Sequence, residues 1–359
     1  MAATDRLDSI AHARQLLLHE RSHAVAPLAP WLQRGWQRCQ SWGLEPQQRV
    51  GFDAVSAARM RQVQEASQPL VHAARPVLAE LVRAMGNIGY FAILTNAEGV
   101  VIDVHGPVDR NDRRASVIAR VGVDLSERAV GTTAISAALS ELQPVWLHRG
   151  EHFFDDTSVY SCAGAPVFGP DGLCAGMLDL TGVEVSERPA LKHLVRRSAR
   201  SIENSWLLSS PHALTLRLNW PGNQPGDDSD GLLTLDADGR ITGANPTARQ
   251  MLGLDIGQAS SHASEVFAMP WESLFDAARR DESGLEVPLW SGLRLHTQAH
   301  RREEGQAHGP VSRVSGKALR DVETELIRQA VLKAKGNVAE AARTLGISRA
   351  TVYRKLGAR

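Results

Sequence analysis

The stretch from Leu319 to Arg359 restricts the fold most, because its apolar positions recur at helical steps and are broken at two glycines. Leu319, Val322, Leu326, Ala330 and Val331 fall on one helix face, which Lys335-Gly336-Asn337 ends, with Gly336 suited to a left-handed cap. Val338 to Leu345 reads as a short second helix whose Ala339, Ala341 and Ala342 let a neighbouring helix come close. Gly346-Ile347-Ser348 then turns the chain, and the Ser348 hydroxyl can cap a third helix from Arg349 to Leu356. From Lys333 to Arg359 seven basic side chains face one acid, Glu340, in a chain of formal net charge +0. With Val352 and Leu356 turned inward, Arg349, Thr351, Arg354 and Lys355 point mostly outward. Such a face suits a major groove: arginine reads guanine bidentately, threonine meets a thymine methyl, and lysine and the helix N-terminus hold phosphate. Asn337 and Ser348, at the two turns, complete the candidate DNA-binding set. The alternative is a surface helix with solvated charges. Two alanine-rich helices joined by Gly-Ile-Ser argue against it.

At these residues the chain resembles the Fis-type helix-turn-helix of bacterial regulators. The resemblance implies that Leu319, Val322 and Leu326 contribute to a homodimer and that two recognition helices reach successive half-sites on double-stranded DNA.

At 359 residues the chain can form two or three domains, and 43% hydrophobic and 22% charged residues are the proportions of a globular protein. The start, MAATDRLDSI, has no basic segment followed by an apolar run, and no stretch reaches the roughly 18 apolar residues of a membrane span. A cytoplasmic location without a membrane partner is expected. Cys39, Cys162 and Cys174 are too few and too scattered for a disulfide framework or a four-cysteine zinc site. No metal or cofactor is expected.

The expected fold class is α+β and multidomain. Residues 1–85 read as a helical region in which Trp31, Trp36 and Trp42 are packing anchors, with a helix over Val55 to Met85 interrupted near Pro69 and Pro76. Residues 86–208 change to strand periodicity. YFAILTNAEGVVIDVHG is a hairpin turning at Asn96 to Gly99, and CAGAPVFGPDGLCAGMLDLTG is another around Gly169-Pro170-Asp171-Gly172. ISAALSEL is a small-residue helix before the strand in PVWLHRGEHFF, and a helix near Arg188 to Leu207 closes the module. Residues 209–300 begin with a strand and a Pro/Gly/Asp loop, then GLLTLDADGRITGANPTARQMLGL gives strand, turn, strand and a helix entered at Asn245-Pro246. Residues 301–316 read as a linker and 317–359 as the DNA-binding domain.

The runs VGVDLSERAVGTTAISAALSELQPVWLHRGEHF and SCAGAPVFGPDGLCAGMLDLTG resemble the GAF domain of regulators in the acetoin-catabolism-regulator family, as does the segment Trp36 to Cys39 upstream. The stretch after Gly231 resembles the start of a PAS domain, and the remainder, to about His300, is short for a full copy. The resemblance implies a sensor with an antiparallel sheet that holds a small-molecule effector. Its polar candidates are Glu127, Thr132, Thr133, His152 and Asp179. Each has a structural alternative: Thr132 and Thr133 as helix caps, Glu127 in a capping box, Asp179 closing a turn. Cys162, near His148, His152 and Asp155 in sequence, is a candidate redox thiol or iron ligand, with a buried inert cysteine as the alternative. Two departures stand out, Thr133 where the family usually has Asn and Ser136 where it has Gly.

Regulators of this kind commonly carry an ATPase domain between sensor and DNA-binding domain. No GxxxxGK[ST] loop occurs here, since Gly316-Lys317 is followed by Ala318. The expected function is therefore a non-enzymatic, ligand-responsive transcriptional regulator. It would act through RNA polymerase or an ATPase-containing relative. The alternative is a GAF-based thiol sensor or enzyme using Cys162 and Cys174. Replacing Arg349 or Arg354 by Ala is expected to weaken specific DNA binding by about 1–3 kcal/mol where that residue reads a base. Fluorescence anisotropy on operator fragments measures it, and unchanged affinity in both variants would remove the third helix as the reader.

Overall fold

The computed structural model describes residues 3–19, 28–223, 225–256, 261–280 and 283–302, together with positions 337, 338, 349 and 352. It divides into two units, Met1–Gly305 and Gln306–Arg359.

In the first unit the strand β1, Tyr90–Asn96, has no polar face. Tyr90, Ala92 and Leu94 join one buried cluster, while Phe91 and Ile93 join another. Because side chains alternate along a strand, β1 must be covered on both sides. The sheet around it is antiparallel, in the order β2-β1-β5-β4-β3, with β2 at Val101–His105, β3 at Val145–His148, β4 at Tyr160–Phe168 and β5 at Cys174–Val183. The expected turn at Asn96 is present: its side-chain oxygen accepts from the amides of Glu98 (3.1 Å) and Val100 (2.8 Å), and Gly99 has φ 89.

One face of this sheet is covered by α3 (Ala57–Met85) and α7 (Leu191–Ser209), through Leu70, Leu78, Leu81, Val195 and Ile202. The helix α3 runs unbroken through Pro69 and Pro76, contrary to the expected interruption. Both prolines are exposed, so water can solvate the carbonyls they leave free, while Leu70, Ala73, Ala74 and Leu78 anchor the opposite side. The other face is covered by α2 (Pro30–Ser41), α4 (Arg113–Ile118), α5 (Glu127–Val130) and α6 (Ala134–Glu141), through residues that include Trp36, Cys39, Ile118 and Ala138. The helix α1, Ala3–Arg14, precedes them.

A second five-stranded antiparallel sheet has the order β8-β7-β6-β10-β9. Its strands are β6 (Leu214–Asn219), β7 (Gly231–Leu235), β8 (Ile241–Ala244), β9 (Ser283–Pro288) and β10 (Arg294–Arg301). The stretch after Gly231, expected to be short for a full copy, is completed from upstream: β6, the strand expected at the start of 209–300, lies between β7 and β10. Counting β6 last rather than first gives this sheet the spatial order of the first, a circular permutation. The helices α8 (Pro246–Leu252), α9 (Ala263–Val266) and α10 (Glu272–Arg279) accompany it, and Leu274 and Ala277 share the core of this sheet. The two sheets meet where the Pro170 carbonyl accepts from the Ala244 amide (3.0 Å) and Arg249 (2.9 Å).

In the second unit Arg349 is helical and exposed, and Val352 is helical and buried, as the assigned faces require. Asn337 is exposed. Ser348, Thr351, Arg354 and Lys355, like most of the expected linker, lie outside the described residues.

The helix α2 is seated at Gly35, where an added Cβ would stand 2.7 Å from Thr132 Cγ2 and 2.8 Å from its hydroxyl. Gly35→Val is expected to cost about 1–3 kcal/mol through overpacking. Urea unfolding checks this, and a variant as stable as the parent would mean that α2 is not seated on Thr132.

Candidate functional site

The strand β5 breaks its own pattern. Met177, Asp179 and Thr181 point to the face covered by α2 and α4 to α6, while Leu178 and Leu180 point to the other. An aspartate and a threonine thus occupy positions where period-2 burial calls for apolar residues. They border a cavity of about 30 Å³ whose apolar lining includes Phe52, Ile93, Ile118, Leu125 and Val130, with Thr133, His152, Tyr160 and Cys162 completing the wall. That volume admits a water or two as it stands.

Two polar atoms of residues in this wall, His152 Nε2 and Asp179 Oδ1, are buried and have no hydrogen-bond partner among the described residues. The other nitrogen of His152 lies 2.9 Å from the Arg149 carbonyl. A carbonyl only accepts, so Nδ1 carries the proton and Nε2 presents a lone pair. Burial pushes the His152 pKa down to about 4, which keeps the ring neutral. Asp179 Oδ2 accepts from the Thr181 hydroxyl, which lies 3.4 Å from Cys162 Sγ. Burial raises the Asp179 pKa to about 7, which favours its neutral form far more than in an ordinary carboxylate.

Of the sequence candidates, Thr133, His152 and Asp179 converge on this cavity; Glu127 and Thr132 do not line it. Glu127 receives both Nε (2.8 Å) and Nη2 (3.0 Å) of Arg38, on α2. Thr132 donates to Glu127 at 3.1 Å and stands 3.3 Å from Cys39 Sγ. These two therefore tie α2 to α5 and to the turn that precedes α6. Thr133 also caps α6, and its partner is Ser136: the Thr133 amide donates to the Ser136 hydroxyl (2.9 Å) and the Ser136 amide to Thr133 (3.4 Å). The two departures from the family are thus one reciprocal capping box. Asp179 sits mid-strand rather than in a turn.

The thiol-pair reading is corrected by strand register. Cys174 lies opposite Phe168, and Cys162 is six residues further along β4, opposite Thr181. At ~3.3 Å per residue the two are ~20 Å apart, far beyond disulfide reach. Burial raises both thiols above their ordinary pKa, away from the reactive thiolate. His148 is turned to Ser161 (2.7 Å) and Asp155 pairs with Arg14, so neither joins Cys162. Among the described residues no three His, Cys, Asp or Glu side chains form a metal-binding group. No described helix is long and apolar enough to cross a membrane.

The missing signal in the sequence was Arg14. It contacts the backbone on both sides of His152, and no spacing in the sequence links it to that loop.

A carboxyl whose folded pKa lies above its unfolded value stabilises the fold at low pH, and that stabilisation is lost as pH rises through the window between the two. For Asp179 the window is 3.8 to about 7, and for Glu203, buried on α7, it is 4.5 to about 8. His152 and His148, each lowered to about 4 from 6.5, act oppositely, and their contribution is complete above 6.5. Between pH 6.5 and 8 these four groups predict falling stability. Calorimetry of Asp179→Asn should show a shallower fall and a higher melting temperature at pH 8. An identical slope would refute the buried carboxyl.

Residues 318–358 match the family described as bacterial regulatory protein, Fis family, and residues 11–204 match the MimR N-terminal domain. The acetoin catabolism regulatory protein of Cupriavidus necator is 30% identical over 70% of this chain and 38% of its own length. The propane 2-monooxygenase operon transcriptional activator MimR of Mycolicibacterium goodii is 24% identical over 85% of this chain and 53% of its own. The chain thus spans well under two thirds of these relatives. A crystal structure of the E. coli DhaR(N)-DhaL complex aligns with 76% of this chain and 100% of that one, at 14% identity and a TM-score of 0.47. The protein belongs to the family defined by the MimR N-terminal domain, and its chain continues into a Fis-type regulatory segment.

Proposed function

We propose that the protein is an effector-responsive transcriptional regulator in which the cavity under β5 binds a small molecule and the Fis-type segment binds operator DNA as a dimer. The observation that carries this reading is the pair of unpartnered buried atoms, His152 Nε2 and Asp179 Oδ1, on one apolar cavity of a chain with a Fis-type segment. Leaving a buried polar atom unsatisfied costs about 1–3 kcal/mol, and a ligand that pairs both atoms recovers that cost. His152 Nε2 takes a ligand hydroxyl as donor, Asp179 in its neutral form donates to a ligand oxygen, and Thr133 borders the same space. Apart from Asp179 the wall carries no formal charge at neutral pH, which favours an uncharged effector. The named relatives regulate acetoin catabolism and a propane monooxygenase operon, and small oxygenated molecules are the first probes to try, each of which requires the cavity to widen beyond its present volume of about 30 Å³.

In this reading the DNA contacts are Asn337, Ser348, Arg349, Thr351, Arg354 and Lys355. The protein works in the cytoplasm by contact with RNA polymerase or with an ATPase-containing relative, since its sequence carries no phosphate-binding loop of its own. The effector must bind one arrangement of the dimer better than the other for occupancy to reach the DNA.

Calorimetric titration of the full chain with acetoin, 2-butanol and acetate tests the sensor half. Saturable binding of a neutral probe, weakened about tenfold in His152→Leu, is expected, with no binding of acetate. If no neutral probe binds and operator occupancy ignores them all, the effector reading falls.

A further inference from the structure

The loop that carries His152 has little regular structure to hold it. Two 3-10 turns, Arg149–Glu151 and Asp155–Thr157, flank it, and Arg149 adopts φ 51, a left-handed conformation costly for a residue with a Cβ. Its carbonyls are capped from outside the loop. Arg14, in the last turn of α1 and only 9% exposed, donates to the carbonyls of Gly150 (2.9 Å), His152 (2.6 Å) and Phe153 (3.1 Å). Its guanidinium also pairs with Asp155. Trp36 Nε1 takes the remaining carbonyl, that of Glu151, at 3.1 Å. One planar fork thus holds the backbone before, at and after His152, a task that suits guanidinium and exceeds what a single ammonium can span.

We infer that Arg14 is a positioning residue of the effector site: by fixing the backbone around His152 it keeps Nδ1 on the Arg149 carbonyl and Nε2 facing the cavity. This makes α1 part of the site, and it rests on the reading that the cavity takes an effector. The orientation of the ring follows from the loop, because the Arg149 carbonyl that selects its tautomer belongs to the loop that Arg14 clamps. Phe153 adds a second tie, its amide donating to the Thr132 carbonyl at 3.0 Å, so the loop is held between α1 on one side and the start of α6 on the other.

The test is nitrogen NMR of the histidine rings in the full chain, with the His152 signal assigned by its loss in His152→Gln. The parent should show one tautomer, Nδ1 protonated and Nε2 bare. Arg14→Met and Arg14→Lys should both show mixed tautomers and bind acetoin at least tenfold more weakly, while still unfolding cooperatively. A merely structural arginine would lower the melting temperature and leave the ring nitrogens alone. Unchanged ring signals in either folded variant overturn the inference, and so does failure of both variants to fold, since α1 would then serve the fold itself. If the ring responds to Arg14 but no neutral probe binds the parent, the effector reading fails separately and Arg14 stands as the residue that orients His152.

Discussion

Two-sided burial of β1 and β5 is the constraint on which the sensor half depends. Each buried apolar side chain on these strands contributes about 1.5–3 kcal/mol relative to exposure, and it contributes only if helices cover both faces. One cover is built from α3 and α7 and the other from α2 and α4 to α6, so the N-terminal helices are a structural layer of the sensor. The same arrangement makes Asp179 costly. A carboxyl in the middle of a strand sealed on both sides loses its water, and among the described residues its side chain is partnered by the Thr181 hydroxyl alone.

Hydrogen bonding divides the polar residues around this face into two kinds. Glu127, Thr132, Arg38 and Cys39 form a satisfied network that locks α2 in place, and the close approach at Gly35 depends on it. His152 and Asp179 each satisfy one side of a bifunctional group and leave the other facing the cavity. A satisfied buried network stiffens a fold, whereas a half-satisfied one is worse than an apolar core unless something completes it. That difference separates scaffold from candidate site among four sequence candidates, Glu127 and Thr132 on one side and His152 and Asp179 on the other.

The strands of the first sheet and its two hairpins were legible because alternation and Asn or Gly turns are local signals. Asp179 was legible as a polar candidate, and Trp36 as a packing anchor. What was not legible is tertiary. The prolines of α3 break the helix on local rules, and only the apolar anchoring of their opposite side carries it through. The strand β6 was legible as a strand but not as the middle of a sheet, because its partners, β7 and β10, stand on opposite sides of it and far apart in sequence. Arg14 is separated from the loop it clamps by more than a hundred residues, and no periodicity reports such a contact.

Thr133 and Ser136 show how a site can change while its scaffold stays. An asparagine at the first position caps a helix with its own carbonyl oxygen, and a glycine at the second contributes no side chain. With threonine and serine the two hydroxyls cap reciprocally, so the start of α6 keeps its satisfied amides. Position 133 also borders the cavity, and the hydroxyl it places there is already engaged with the helix. Among the described residues the wall keeps two buried atoms that the fold does not satisfy, His152 Nε2 and Asp179 Oδ1, and under the proposed reading these carry recognition, with the loop setting the orientation of His152.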